Sequence, residues 1–559
     1  MRKLLLAFAF AAALSAQTPL VNTGGITNRF SLLSPLLASG SIAQGSIFHI
    51  NGKNLGPVDG ALSPDAPVTA LAGVSAQVTV GGATVDVLLS AVSDLRIVAL
   101  LPSATKVGTG TLTVTVNGQK SAPSPITVVK TSIGIQTASS LAAGPAVMEM
   151  LDDSGGSTPN SLTAGIKPLQ VGVLHGTGLG PVEFSETAGA PLQELEADIH
   201  VFVDGQEARV LFKGRTPGQI GLDEFRIEIP EGVSAGCYVS VGIQFGSNMS
   251  NFVSISVAPD GGACPDPRLP LEEATVILKA QGIVRTGAIE LVRTASKTPA
   301  PPLGTIDSTI DLGAAAFVST DYSKLVAIES LPSTTIGLCF LQQIAQNPQQ
   351  TGANSGASTV LDAGTVFTVK GPNGTKQLIK NPAGYGGTIG GGTLLAGNPV
   401  PGSPVLPLFT SPGTYTFDNG AGGADVGAFT ATINVPEHLV WTEADTLKSI
   451  SRGAGVDISW TGGDPDANVY VAGSSQLPRS LSPTPTGAQF TCRAHVRDGH
   501  LTIPPTVLLA LPPTVTTNGV PSGVLQVAMT PSSGAFNAPG VDIGITAFTN
   551  STYRAMEYK

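Results

Sequence analysis

Residues 51–58 read NGKNLGPV and residues 175–182 read HGTGLGPV. A phrase repeated this closely, with no catalytic residue common to both copies, constrains shape before anything else. Each copy follows an apolar strand pattern, GSIFHI (45–50) in the first and LQVGVL (169–174) in the second. Phe48 and Ile50 share one face of such a strand, because side chains alternate. Gly52 and Gly176 hold the same place, where glycine permits a positive φ or a bulge. Next come Asn54 in one copy and Gly178 in the other, the residue types that most readily turn left-handed. Leu55 and Leu179 then return to a core, and Gly56-Pro57 and Gly180-Pro181 end the corner. The expectation is a structural turn used twice, made by Gly52, Asn54, Gly56, Gly176, Gly178 and Gly180.

The likeness extends past the corner. VTVGGATVDVLL (78–89) reads as a hairpin with Gly81-Gly82 at its tip, and VFVDGQEARVLF (201–212) as one with Asp204-Gly205. Each is followed by a strand ending in Pro, RIVALLP (96–102) and FRIEIP (225–230). Each unit closes with two more strands, at 110–119 and 124–129 and at 237–246 and 252–257. Strands at this short spacing, in a repeated order, predict two β-sandwiches, over 28–133 and 146–260.

Gly45-Ser46, the apolar strand and Gly52-Lys53-Asn54-Leu55-Gly56 resemble the IPT/TIG family of immunoglobulin-like modules. Its signature is Gly-Ser/Thr, a strand, then G-x-N-[LF]-G. Both units are also similar to a secreted bacterial family of TIG-like repeats carrying NLGP and PGQI phrases. The second unit keeps Pro217-Gly218-Gln219-Ile220, and the first has Ser93-Asp94-Leu95-Arg96 instead. The resemblance spans roughly residues 28–260. It implies binding or spacer units and brings no catalytic residues.

PDGGACPDPRLP (259–270) reads as a linker. Beyond it, 365–379 is a hairpin pattern with Asn373-Gly374 at the turn, 384–404 is a loop by composition, and 414–436 holds two strands around a Gly-rich corner. After Pro436 a further set of strands follows at 439–444, 455–475, 488–496 and in LTIPPTVLLALPP (501–513), with Trp460 as a core residue. The C-terminal half is expected as a β-rich domain (270–436) and an Ig-like sandwich (437–549). The fold class is all-β, tandem Ig-like sandwiches plus a larger β-rich region.

Composition agrees. Charged residues are 12%, about half the usual share, and are replaced by Gly (68), Pro (43) and small β-formers. A net charge of −10 with no basic stripe argues against nucleic acid. Arg2, Lys3, the apolar run 4–14 and Ser15-Ala16 have the layout of a signal peptide (1–16). No Cys follows to carry a lipid, and no later stretch is apolar enough to span a membrane. A secreted, extracellular or periplasmic chain is expected.

Four cysteines, Cys237, Cys264, Cys339 and Cys492, allow three pairings. Cys237–Cys264 is favoured as the pair near in sequence, leaving Cys339–Cys492, which would staple the two C-terminal regions. No C-x-x-C spacing points to zinc.

Candidate sites give way to structural readings. His49, His175, His200, His438, His495 and His500 are not clustered as metal ligands are, and His495 and His500 form the nearest pair. HGTGLG (175–180) lacks dinucleotide-loop spacing and a following helix. Asp464, Asp466 and Asn468 open like a calcium loop but lack its Gly and closing Glu, so a polar hairpin explains them. Glu183, Glu186, Glu194 and Glu196 read as a solvated acidic rim. No G-x-S-x-G elbow occurs. No catalytic, metal or cofactor residues are expected. The favoured function is a secreted, non-catalytic binding, adhesion or scaffolding protein with an extracellular protein or polymer as partner. The alternative is an enzyme or enzyme accessory on extracellular polysaccharide. It would show two carboxylates about 5–10 Å apart in a C-terminal pocket. A sugar cleft normally also offers exposed aromatics, and Trp (2) and Tyr (7) are scarce.

Overall fold

The computed structural model describes residues 18–138, 142, 144–264, 283–321, 339–345, 358–477, 486–530 and 534–559. The expected signal peptide (1–16) and the end of the 259–270 segment lie outside the described residues. The fold is all-β, tandem immunoglobulin-like sandwiches followed by a larger β-rich region.

Residues 20–129 form one sheet of five strands and one of seven, whose inner faces share a core with Ile26, Phe48, Ile50, Val78, Ile97 and Leu112. Alternation sorts the side chains: in Val74–Val80 every second residue is buried. Each large aliphatic so buried contributes about 1.5–3 kcal/mol. Val80 pairs with Ala83 across Gly81 (φ 55°) and Gly82 (φ 76°), the two-residue turn that fits sheet twist.

Residues 134–257 repeat the plan in a ten-stranded sheet that wraps around its own core. Ile199–Val203 pairs with Gln206–Arg215 on one side and Gly236–Phe245 on the other, joining the two layers. Its hairpin turns at Asp204 (φ 56°) and Gly205 (φ 71°).

The C-terminal half shares one sheet of sixteen strands among the described residues. A long hairpin, Ile283–Pro299 with Thr305–Asp321, lies at its centre, and Ile283–Pro299 also pairs in parallel with Ile543–Tyr558. Strands from both expected C-terminal regions thus sit side by side, over one apolar cluster that includes Leu291, Phe317, Phe367, Trp460, Phe490 and Tyr558. Trp460 is buried and its Nε1–H donates to the Val496 carbonyl at 2.8 Å. Cys237 is bonded to Cys264 and Cys339 to Cys492. Among the described residues no helix is long and apolar enough to cross a membrane.

Three local expectations are corrected. The Gly-rich stretch 384–404 is not a loop at its start: Gly384–Leu395 is a twelve-residue strand. Its glycines admit a neighbouring backbone, since a Cβ on Gly390 would stand 2.7 Å from the Phe409 amide and one on Gly392 would stand 2.9 Å from the Val405 Cα. The hairpin near 373 turns at Pro372-Asn373, with Gly374 already paired to Gly371. Within 501–513, Pro505–Leu509 is a short helix rather than strand, begun by proline at its first turn.

Candidate functional site

The two octapeptides make the same corner. Asn54 (φ 56°) and Gly178 (φ 110°) take the left-handed turn, and Leu55 and Leu179 are buried behind it. Gly52 and Gly176, expected in the turn, instead lie inside the strands Ile47–Lys53 and Val171–Thr177 without a positive φ. Their reason is close approach. A Cβ on Gly52 would overlap the Leu20 carbonyl oxygen, and one on Gly176 would stand 2.6 Å from that of Gly134. Gly56 likewise has no positive φ, whereas Gly180 has one (φ 147°).

The surroundings of the two corners differ. The first is at the surface: Lys53 is exposed, Val58 is 86% exposed, and the Asn54 and Leu55 amides donate to Asp94 of their own unit. The second is pressed against the first unit. Thr177 Oγ1 accepts the Ile47 N–H at 2.9 Å and donates to the Gly221 carbonyl at 2.7 Å. Asn28 Nδ2 donates to the Ser132 and Thr177 carbonyls at 3.2 Å each. Arg215, only 2% exposed, donates through Nη2 to the Gly45 carbonyl of the first unit and the Gly180 carbonyl of the second, both at 2.7 Å. Its Nη1 pairs with the fully buried Asp223, which also accepts the Leu179 N–H at 2.7 Å. Burial pushes the Asp223 carboxyl up, and the Arg215 charge with the Leu179 and Gly178 amides opposes it. A guanidinium suits this place because its rigid fork serves three acceptors at once.

Glu186 departs from the solvated rim that the sequence predicts. It is half-buried, and Oε1 accepts both the N–H (2.7 Å) and the hydroxyl (2.5 Å) of Ser103 in the first unit. The other three, Glu183, Glu194 and Glu196, are exposed. Gly45, Phe184, Glu186, Arg215, Gln219 and Gly221 line a cleft at this joint. The cleft holds about 220 Å³, much of it open to solvent, and has room for about one water.

The histidines are dispersed. His49 is buried, its Nδ1 has no partner among the described residues, and burial, then Arg96 and Arg29, lowers its pKa to about 3. His175 is half-buried, and burial lowers its pKa against Glu224 and Glu149. His200 bonds Glu207 at 2.6 Å on the surface. His438 Nδ1 accepts Arg293 Nη1–H at 3.1 Å, with its ring stacked on Phe548. His495 ends one strand and His500 begins the next, Nδ1 lying 3.1 Å from the Asp498 carbonyl. The Asp464–Asn468 run is not the polar hairpin expected: Val456–Thr461 before it pairs with His500–Ile503, whereas the strand Asn468–Gln476 that Asn468 opens pairs with Thr486–His495, so the run is a connection between sheets, in which Asp464 Oδ1 accepts the Asp466 N–H at 3.0 Å. Among the described residues no three His, Cys, Asp or Glu stand close enough to hold a metal.

In the C-terminal half, the buried Asp311 accepts from Arg293 Nε and Nη2, the Phe409 and Thr410 amides and the Thr410 hydroxyl, all at 2.6–2.8 Å. Burial raises its pKa, but the bonds from Arg293 and Thr410 outweigh it and hold the carboxyl low. A carboxylate so saturated ties the 404–410 segment over the Gly390 strand and has no lone pair left for acid–base work.

The fold and the joint define a class: tandem immunoglobulin-like β-sandwiches held end to corner. Residues 29–129 match the IPT/TIG domain, as their turn and strands implied. Among solved structures, the chain is similar to domains 5–6 of the S-layer protein SbsC (14% identity, covering 43% of this chain and 98% of that one, TM-score 0.14). It is similar also to the Bacteroides ovatus mixed-linkage glucan utilization locus SGBP-B in complex with a heptasaccharide (10%, 84% and 94%, TM-score 0.13). A third is the I9–I11 tandem from titin (8%, 71% and 95%, TM-score 0.13). At such TM-scores these likenesses carry no argument about function. No curated protein matches the chain.

Proposed function

We propose that this is a secreted, non-catalytic scaffolding and binding protein of the extracellular space, in which two Ig-like units are fixed to each other as one stiff body. The observation that carries the reading is Arg215, buried at the joint, where Asp223 and the Gly180 carbonyl of its own unit hold it in place and its Nη2 reaches the Gly45 carbonyl of the first. Reacting groups in an active site must be reachable; the polar groups gathered here are turned inward. The two disulfides support an oxidising compartment. The C-terminal half is read as a single unit, joined by the parallel pairing of Ile283–Pro299 with Ile543–Tyr558 and by Cys339–Cys492. The second Ig-like unit meets it through apolar side chains, since Met249, Phe252 and Phe202 pack with the C-terminal cluster.

The test is to fractionate producing cells and assay the purified protein on extracellular polysaccharides. The expected result is intact protein outside the cytoplasm, shortened by its N-terminal segment, releasing no reducing sugar. Cytoplasmic retention, or turnover of a polysaccharide, would overturn the proposal.

A further inference from the structure

The corner that seats the second unit on the first is present again at the surface end of the first unit. We infer that this free corner docks on the base of the second unit in another copy of the chain, so that copies join head to tail. The inference rests on the scaffold reading above and names its partner.

The free corner matches the docked one position by position. Counted from the octapeptides, Lys53, Val58 and Leu62 stand where Thr177, Val182 and Glu186 stand. The pairings of Asn51 with Arg96 and of His175 with Glu224 place Leu95 where Asp223 stands. All four second-unit residues serve the joint. Thr177 accepts from Ile47, the Val182 N–H donates to Ser103 Oγ at 2.9 Å, Glu186 accepts from Ser103, and Asp223 holds Arg215. Their first-unit counterparts face solvent: Lys53 is exposed, and Val58, Leu62 and Leu95 are 86%, 77% and 56% exposed. Among the described residues ten large apolar side chains are more than half exposed, and these three with Leu20 put four of them at one corner. Leu20 pairs with Lys53, and the Leu95 carbonyl accepts the Gly52 N–H.

The receiving surface has its counterpart too. In the joint it is the base of the first unit, Gly45 and Ser103; in the second unit the same places hold Leu169 and Glu231. The backbone agrees. Gly45 (φ 67°) donates its N–H to the Leu101 carbonyl and Leu169 (φ 64°) to the Ile229 carbonyl, each at 2.8 Å. Leucine holds this left-handed conformation at a cost that glycine avoids, and at 57% exposure it has little packing within its unit to offset that cost. Glu231 beside it is exposed.

The chemistry of the two surfaces is complementary. Gly45, Val182 and Glu186 line one cleft in the joint, so the same seating between copies lays Val58 and Leu62 against Leu169. Glu231 replaces Ser103 as the acceptor, and Lys53 of the incoming copy carries the opposite charge. The buried Arg215–Asp223 pair that clamps the joint is replaced by Leu95, which makes the contact apolar and reversible. A contact between two different surfaces does not close on itself and extends as a chain.

The experiment is sedimentation velocity and light scattering of the full chain over a series reaching about 200 µM, because a contact of this size binds weakly. The average mass should climb past that of a dimer. Leu62→Glu and Leu169→Glu each set an unpaired charge in the apolar contact and should weaken association about tenfold or more. Mixed together, the two variants should recover dimers and stop there, since each keeps the surface the other has lost. Leu169→Gly should weaken association roughly three- to tenfold while its melting temperature holds or rises, because glycine suits φ 64°. That variant keeps the test informative should a glutamate variant unfold. Lys53→Glu and Glu231→Lys should each weaken association, and the double variant should restore it. Monomers throughout the series, dimers that grow no further, a mixture that recovers nothing, or association indifferent to positions 62 and 169 would overturn the inference. An Arg215→Met chain that loosens between its units but still associates would count against the stiff scaffold and not against this surface.

Discussion

The two corners have the same backbone and different employment. In the first, position 53 is an exposed lysine and the turn faces solvent. In the second, the matching Thr177 is buried and bonded to both units, and Arg215 reaches past it to Gly45. The repeated residues, glycine, asparagine and leucine, specify how the chain bends. The residues that differ decide whether the bend is merely an end of a sandwich or the seat of a joint. A duplicated motif is thus a guide to fold, and its departures are the guide to what each copy does.

The comparison can be broken most forcefully at Arg215. Arg215→Met leaves Asp223 buried without its partner, and denaturant unfolding should show a loss of about 3–5 kcal/mol. Lys53→Met at the free corner should cost within about 0.5 kcal/mol. Equal losses would erase the distinction. Gly178→Ala sets a Cβ against the Ser132 carbonyl at a positive φ, and the melting temperature should fall by the equivalent of about 2 kcal/mol or more. Asn54→Gly, at the same turn of the free corner, should change it by a few tenths. Thr177→Val strips the Ile47 amide and Gly221 carbonyl of their partner and should cost about 1–3 kcal/mol.

Acid should separate the two units as well. His49, in the first, has its pKa lowered to about 3, below the ordinary 6.5 of the unfolded chain. The unfolded state therefore takes up its proton first as pH falls. The stability held by neutral His49 is full above about pH 6.5 and is lost from there toward about 3, at no more than about 1.4 kcal/mol per pH unit. His175, in the second unit, is shifted the same way but opposed by two glutamates, so its slope is shallower. Melting curves of His49→Gln should flatten the profile more than those of His175→Gln. Among changes at the joint the smallest is Glu186→Gln, which keeps an oxygen for Ser103 and should cost less than about 1 kcal/mol.

Much of the fold was legible because the signals were local. Gly81-Gly82 and Asp204-Gly205 announce hairpins by their own chemistry, and alternation in Val74–Val80 marks one buried face. Gly384–Leu395 looks like a loop in sequence because its glycines answer to Phe409 and Val405, which pass over it and leave no trace in the local pattern. The joint was hidden for a related reason. Arg215 lies 170 residues from Gly45, and Glu186 lies 83 from Ser103. The signal available was the basic and acidic pair bracketing Pro217–Ile220, with no counterpart around Ser93–Arg96.

The most direct test of a stiff joint is the distance between its two sides. No free cysteine is present, so Thr84→Cys and Glu231→Cys can carry spin labels on exposed positions of the first and second units. Pulsed electron resonance should give one narrow distance distribution, which broadens when Arg215→Met is added. A broad distribution in the parent chain, or a narrow one that Arg215→Met leaves unchanged, would contradict the joint on which this account stands.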